Sequence, residues 1–444
     1  MDKRFSSLRE FFDYKRQEYV DKCIPGCSNC YDVCSSIPFT KIKDEDPTEV
    51  QEKVIELLRD KKYSPEAEER FMTCFYCGLC GPVKESCPAG IANMRVMLPI
   101  GRTILKELGR SLPAGTKRLD PGNKHANLYV MNALQMKPSE KTWLSPEQIP
   151  DKAEKVDVAL FTGCTPHNTP NILFTMMDIF DKMGVSYVAL GGGGFCCGNM
   201  HQLMGDYEGS ERYMRQLYDG MMTFNPDTVV SLCGTCHYQM TDFFTRIMDM
   251  PKIQYITDFF LENFDKIEPH LTPVKNQITL HESCNMPRYV GDSESIRQLL
   301  GKIPGLDLVE MEHIKEETIC CGGGAYYLLG LEGGKHFADQ RLNEARDTGA
   351  DTLVCGGCQG CYYIFIGRQD EYSYDIVHWM MVLGESMGIK HEETLKKYFT
   401  YDPEKILEES KENIEASRFS LEEMEELIPK MFKGKNLLTA LDED

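Results

Sequence analysis

VDVALFTGC (residues 156–164) and QITLHESC (residues 277–284) decide the fold, because each is a short apolar, β-branched run that breaks off at a cysteine. Runs of this length and composition read as buried strands. The first is followed by TPNILFTMMDIFDKMG (169–184), which is apolar at helical spacing and closed by Gly184. A second strand, VSYVAL (185–190), leads through Gly191–Gly194 to the pair Cys196-Cys197; a helix, EGSERYMRQLYDGMMTF (208–224), and a third strand, DTVVSLC (227–233), complete the unit. The order recurs after QITLHESC. SESIRQLLGKI (293–303) is the helix, LDLVEM (306–311) the second strand, Cys320-Cys321 the pair, GGKHFADQRLNEARDTG (333–349) the next helix and DTLVCGGC (351–358) the last strand. Strands alternating with helices predict parallel α/β units, and their recurrence at an offset of about 120 residues predicts an internal duplication.

Outward from this core, the amino-terminal part reads as helical. Residues 1–20 have amphipathic spacing, PTEVQEKVIELLRD (47–60) is a helix opened by a proline, and IANMRVMLPIGRTILKEL (91–108) is a third. Residues 110–150, rich in Pro, Gly, Lys and Ser, read as a connector. Residues 386–444, dominated by Lys and Glu, read as a solvated helix pair. The expected organisation is therefore a helical domain over 1–110, a linker over 111–152, duplicated α/β modules over 153–272 and 273–385, and a charged helical tail over 386–444. The expected fold class is α/β with an N-terminal α-helical ferredoxin-like domain.

All nineteen cysteines of the 444 residues fall into four clusters. Cys23, Cys27, Cys30 and Cys34 form the first, and Cys74, Cys77, Cys80 and Cys87 the second. The C-x2-C-x2-C triplet of the second, with Cys87-Pro88 following, suits a cubane [4Fe–4S] cluster, whose four thiolates surround one compact core. Zinc knots use two separated CxxC turns instead. The ferredoxin crossover, if kept, groups Cys23, Cys27, Cys30 and Cys87 around one cluster and Cys34, Cys74, Cys77 and Cys80 around the other. The later clusters read C, CC-G, C-x2-C: Cys164, Cys196, Cys197, Cys233 and Cys236, then Cys284, Cys320, Cys321 and a run of Cys355, Cys358 and Cys361. Taking Cys358 and Cys361 preserves the first module's spacing and aligns Cys358-Gln-Gly-Cys361-Tyr-Tyr with Cys233-Gly-Thr-Cys236-His-Tyr, leaving Cys355 supernumerary. Soft thiolates in such density select iron–sulfur or zinc over hard cations.

FTGC, GFCCG and SLCGTC, with HESC, ICCGGG and CGGCQGC, resemble the duplicated cysteine-rich CCG domain of the heterodisulfide reductase catalytic subunit family. Two ferredoxin-type motifs fused ahead of two such domains resemble its membrane-associated type and related subunits of sulfate reduction and of lactate, glycolate and glycerol-phosphate oxidation. The resemblance implies two noncubane [4Fe–4S] clusters, one on Cys164, Cys196, Cys197, Cys233 and Cys236, the other on Cys284, Cys320, Cys321, Cys358 and Cys361. It implies reductive cleavage of a small-molecule disulfide, a coenzyme M/coenzyme B-type heterodisulfide, in anaerobic metabolism such as methanogenesis. The two cubane clusters would relay the electrons from a flavoprotein, a hydrogenase or dehydrogenase, or a membrane cytochrome. The alternative is a non-catalytic electron-transfer subunit.

Other features bound the reading. A net charge of −20 argues against binding nucleic acid or an anionic lipid surface. No run of about 18 apolar residues is present to span a membrane. Thiols in this number, without a secretory signal at the amino terminus, suggest a reducing cytoplasmic interior, with any membrane association made through a partner subunit. His167, His201, His237 and His281 lie near motif cysteines and are candidate proton donors, although each reads more readily as a supporting or surface residue. Arg288 is read as a holder of an anionic substrate group or as a surface salt-bridge residue. Gly191–Gly194 is a weak candidate for nucleotide binding.

Overall fold

In the computed structural model, residues 4–81, 86–112, 122–400 and 402–432 are described; the first three residues of the expected leading helix and residues 433–444 of the expected tail lie outside them. The duplication is realised as two four-stranded, all-parallel sheets. The first has the order β2-β1-β3-β4, with β1 at Val158–Gly163, β2 at Tyr187–Gly191, β3 at Thr228–Ser231 and β4 at Lys252–Tyr255. The second repeats it as β6-β5-β7-β8, with β5 at Asn276–Glu282, β6 at Leu306–Leu308, β7 at Thr352–Gly356 and β8 at Asp375–His378. Buried β1 and β7 read as continuous apolar runs because helices cover both faces of a parallel sheet. The fourth strand of each sheet goes beyond the sequence reading. KIQY and DIVH are short, mixed in polarity and only partly buried, so their alternation is too weak to announce a strand.

The helices begin where the chain supplies caps. Asp46 accepts from the amides of Thr48 (2.9 Å) and Glu49 (3.0 Å) ahead of Pro47–Asp60, and Asn93 accepts from Arg95 ahead of Met94–Glu107. Gly184, at φ 63°, ends Pro170–Met183. The long helix Gly323–Asp347 is interrupted at Gly330, whose φ of 73° breaks the helical path.

Helix Met94–Glu107 is buried continuously from Met94 to Leu105. It joins the amino-terminal helices to the first module, which they also meet through Phe12 stacked on Tyr207 at 4.5 Å. Within the segment read as a connector, Asn127–Gln135 is a helix against which Pro403–Glu415 and Leu421–Met431 pack. That terminal pair is docked by Ile406, Ile414, Met424 and Ile428, and by Asn413 Nδ2 donating to the Leu134 carbonyl at 2.9 Å. Its solvent face alone carries the Lys/Glu pattern that dominates the sequence.

Candidate sulfur centres

Cys23 caps helix Leu8–Lys22, and Cys23, Cys27, Cys30 and Cys87 line one cavity with Tyr19, Ile24, Ile55 and Met97. Gln51 reaches into the same group, donating to Cys23 Sγ at 3.8 Å and accepting from Cys30 Sγ at 3.1 Å. Cys34 lies instead with the second triplet. Ser35 Oγ is 3.5 Å from Cys77 Sγ, and the charge of Cys34 acts on Cys74, Cys77 and Cys80. The chain thus brings together the two crossed groups that ferredoxin topology predicts.

Arg70 separates these groups. Its guanidinium donates to Cys34 Sγ at 3.2 Å and to the Cys30 carbonyl at 2.8 Å. Burial raises Cys74 and Cys30 to about 11. At Cys34 burial acts in the same direction but is outweighed by the Arg70 charge and the Ser36 hydrogen bonds, which hold the thiol below its ordinary value.

In the duplicated modules the paired cysteines occupy equivalent places. The amides of Gly198 and Gly322 each donate to the sulfur two residues earlier, Cys196 and Cys320, at 3.4 Å. Both glycines have positive φ, and a Cβ on either would lie within 2.5 Å of a backbone carbonyl, Ser210 or Gly334. A side chain is excluded there by closely passing helix backbone. Cys233 and Cys358 are the N-caps of Gly234–Gln239 and Gln359–Ile366, and Cys236 and Cys361 sit in the first turns.

Ten thiols form one unbroken chain of side-chain contacts. It runs Cys164, Cys196, Cys197, Cys236, Cys233, crosses to Cys358, and continues Cys361, Cys321, Cys320, Cys284. Cys196 and Cys236 hold Cys197 well below the ordinary thiol value, Cys233 and Cys361 do the same to Cys358, and Cys320 and Cys361 bring Cys321 to about 6. Seven of the ten are buried, whereas Cys164, Cys284 and Cys358 are half-exposed. Cys355 stands outside the chain. It lies within β7, paired with His281 on one side and His378 on the other, and burial pushes its thiol well up.

Arg95, 1% exposed, ties the three parts together. It donates to Asn199 Oδ1 at 2.7 Å, to Thr235 Oγ1 at 3.3 Å and to Asn285 Oδ1, and its guanidinium lies 4.4 Å from the centre of the Tyr76 ring. Arg102 donates to the carbonyls of Phe71, Cys74 and Leu203. Arg288 donates to those of Cys77, Glu316 and Thr318. Arg288 is therefore neither a surface ion pair nor open to a ligand; it fastens the second module to the Cys74–Cys80 loop. Among the described residues, none of Arg70, Arg95, Arg102 and Arg288 meets a carboxylate. Buried guanidinium groups without carboxylates, beside stacked thiols, suit anionic thiolate-bound clusters. Sequence reading missed Arg70, Arg95 and Arg102. The signal for the latter two was a pair of charges two turns apart on an otherwise apolar helix face.

The histidines separate into two kinds. His167 sits 3.2 Å from Thr162 Oγ1 against Trp143, His237 3.2 Å from Ser231 Oγ, and His201 2.8 Å from the Asp206 carboxylate. Burial lowers His167 to about 3 and His237 to about 4. His281 differs: one of its ring nitrogens and the sulfurs of Cys321 and Cys361 lie within 4.8 Å of one another. Gly191–Gly194 serves packing, since a Cβ on Gly193 would fall on the Tyr129 hydroxyl and one on Gly194 on Pro146. Among the described residues no helix is long and apolar enough to cross a membrane.

Comparison with known proteins agrees with this architecture. The cysteine-rich CCG domain model matches residues 158–241 and 278–366. The chain is 27% identical over 351 residues to a subunit of the dihydromethanophenazine:CoB–CoM heterodisulfide reductase of Methanosarcina barkeri, covering 75% of this chain and 83% of that one. It is 24% identical over 370 residues to a subunit of the fumarate reductase (CoM/CoB) of Methanothermobacter marburgensis (80% and 71%), and 27% over 184 residues to lactate utilization protein A of Halalkalibacterium halodurans (39% and 73%). These matches support an iron–sulfur redox role alongside partner redox subunits.

Proposed function

We propose that this chain, which carries a duplicated CCG domain and is homologous over most of its length to the heterodisulfide reductase subunit of Methanosarcina, reductively cleaves a small-molecule disulfide. The observation that carries the reading is the thiol chain joining both modules through Cys233 and Cys358. Cys164, Cys196, Cys197, Cys233 and Cys236 would hold one noncubane [4Fe–4S] cluster and Cys284, Cys320, Cys321, Cys358 and Cys361 the other. Cys23, Cys27, Cys30 and Cys87, and Cys34, Cys74, Cys77 and Cys80, would hold two cubane clusters. When bound, these groups supply single electrons and thiophilic iron.

The protein's part is positioning and charge. Electrons enter from a partner redox protein at the half-exposed Cys23, Cys27 and Cys87. Arg70 lies between the two amino-terminal sites, and the Cys74–Cys80 loop rests on the second module, with Tyr289 Oη donating to the Tyr76 carbonyl at 3.1 Å. Cleavage of RS–SR′ takes two electrons and two protons and releases two thiols. Adjacent five-cysteine sites let each sulfur of the substrate meet its own module, and half-exposed Cys358 marks the side open to it. Arg95 places a fixed positive charge where the anionic thiolates would form. Two relatives carry CoM and CoB in their names, which supports a heterodisulfide of that type as substrate.

The test is Cys197→Ala and Cys321→Ala in the anoxically reconstituted protein. Each change should abolish disulfide cleavage while reduction of the amino-terminal centres persists. Substantial reductase activity in either variant would replace this reading with electron relay alone.

A further inference from the structure

The two modules differ inside one repeated position. Phe161, three residues before Cys164 in β1, is buried, and the equivalent position before Cys284 in β5 is His281, 0% exposed. The difference extends to its neighbours. Counted from each cysteine pair, Leu217 and Gly220 of the first module correspond to Arg341 and Glu344 of the second. An apolar set has thus become a polar one. Arg341 Nε donates to His281 Nδ1 at 3.0 Å, and Arg341 Nη1 donates to Glu344 at 2.6 Å.

Arginine has no acceptor, so His281 Nδ1 must be unprotonated and the ring proton sits on Nε2. That Nε2 is buried and has no hydrogen-bond partner. An unpaired buried N–H is costly, and such groups generally answer to a partner. The imidazole is also the ring grouped with the Cys321 and Cys361 sulfurs, and with Nδ1 occupied, Nε2 is the nitrogen left to serve them.

Resting on the cluster assignment above, we infer that Arg341 orients His281 as an N–H···S donor to the second module's centre, making the two centres electronically unequal. A hydrogen bond to ligand sulfur stabilises the added negative charge of a reduced cluster and raises its potential. The second centre, beside the Cys74–Cys80 loop, is then the first acceptor, and the first centre, whose module has Phe161 and Leu217 at the equivalent positions, is the weaker one. His281 is a positioning residue and transfers no proton.

The test is His281→Phe, which installs the first module's residue while Glu344 still holds Arg341. Potentiometric titration of the holoprotein, followed by EPR, should show one noncubane centre shifted to lower potential by at least tenfold in its reduced-to-oxidised ratio, about 59 mV for a one-electron couple. The other three centres should stay in place. In wild type labelled with ¹⁵N-histidine, that same centre should carry a nitrogen hyperfine coupling, a measurement that needs no substitution. Full iron with no shift, or no coupling in wild type, overturns the donor role and leaves the cluster assignment standing. Loss of that centre's iron in His281→Phe overturns it in favour of direct ligation. Wild type holding iron at the amino-terminal cysteines alone overturns both readings.

Discussion

The amide of Gly234 donates to the carbonyl of Gly357 at 2.9 Å, so the two modules are hydrogen-bonded at the residues beside Cys233 and Cys358. This contact sets the thiols of the two repeats against each other instead of leaving them as separate sites. It depends on small residues. Gly357 has φ 80°, and a Cβ there would lie 2.4 Å from Met286 Cγ.

Gly357→Ala should therefore disturb the second module's side of this junction. Left-handed backbone and the Met286 clash together should cost about 1–3 kcal/mol. Thermal unfolding should show the loss, and the EPR of both noncubane centres should change while the amino-terminal centres keep theirs. Unchanged spectra would detach the junction from the sites.

Arg95→Met should remove the donor shared by Asn199, Thr235 and Asn285 and leave those buried groups with fewer partners. Hydrogen bonds to charged groups contribute about 1.5–3 kcal/mol each, and a destabilisation of about 3 kcal/mol is expected. Stopped-flow reduction should also show slower filling of the noncubane centres than of the amino-terminal ones. Stability and rates equal to wild type would remove Arg95 from both roles.

Iron and acid-labile sulfide analysis after anoxic reconstitution should give roughly 16 iron atoms per chain and negligible zinc, four for each of four clusters. About half that iron would remove the noncubane centres from the account.

Cys355→Ser should retain full iron, whereas Cys358→Ser and Cys361→Ser should each lose the second noncubane centre. Cys355 lies inside β7 and makes none of the thiol contacts that join the other ten. Equal iron loss in all three would reverse that assignment.

Periodicity and cysteine spacing by themselves determined the parallel α/β modules and their duplication, and they favoured Cys358 and Cys361 over Cys355 and a crossed grouping of the amino-terminal cysteines. These follow from local rules: β-branched runs pair in sheets, glycine ends a helix, and adjacent thiols share a turn. Only the tertiary structure decided the rest. The edge strands Lys252–Tyr255 and Asp375–His378 need a neighbouring strand to be strands at all. Helix Asn127–Gln135 reads as connector until the terminal helices cover it. Arg70, Arg95, Arg102 and Arg288 are ordinary charges in a sequence and become buried fasteners only when chain segments far apart meet. The approach of Cys233 to Cys358 is of the same kind. No local spacing encodes it, because it arises from packing between repeats whose surfaces become complementary after each has folded.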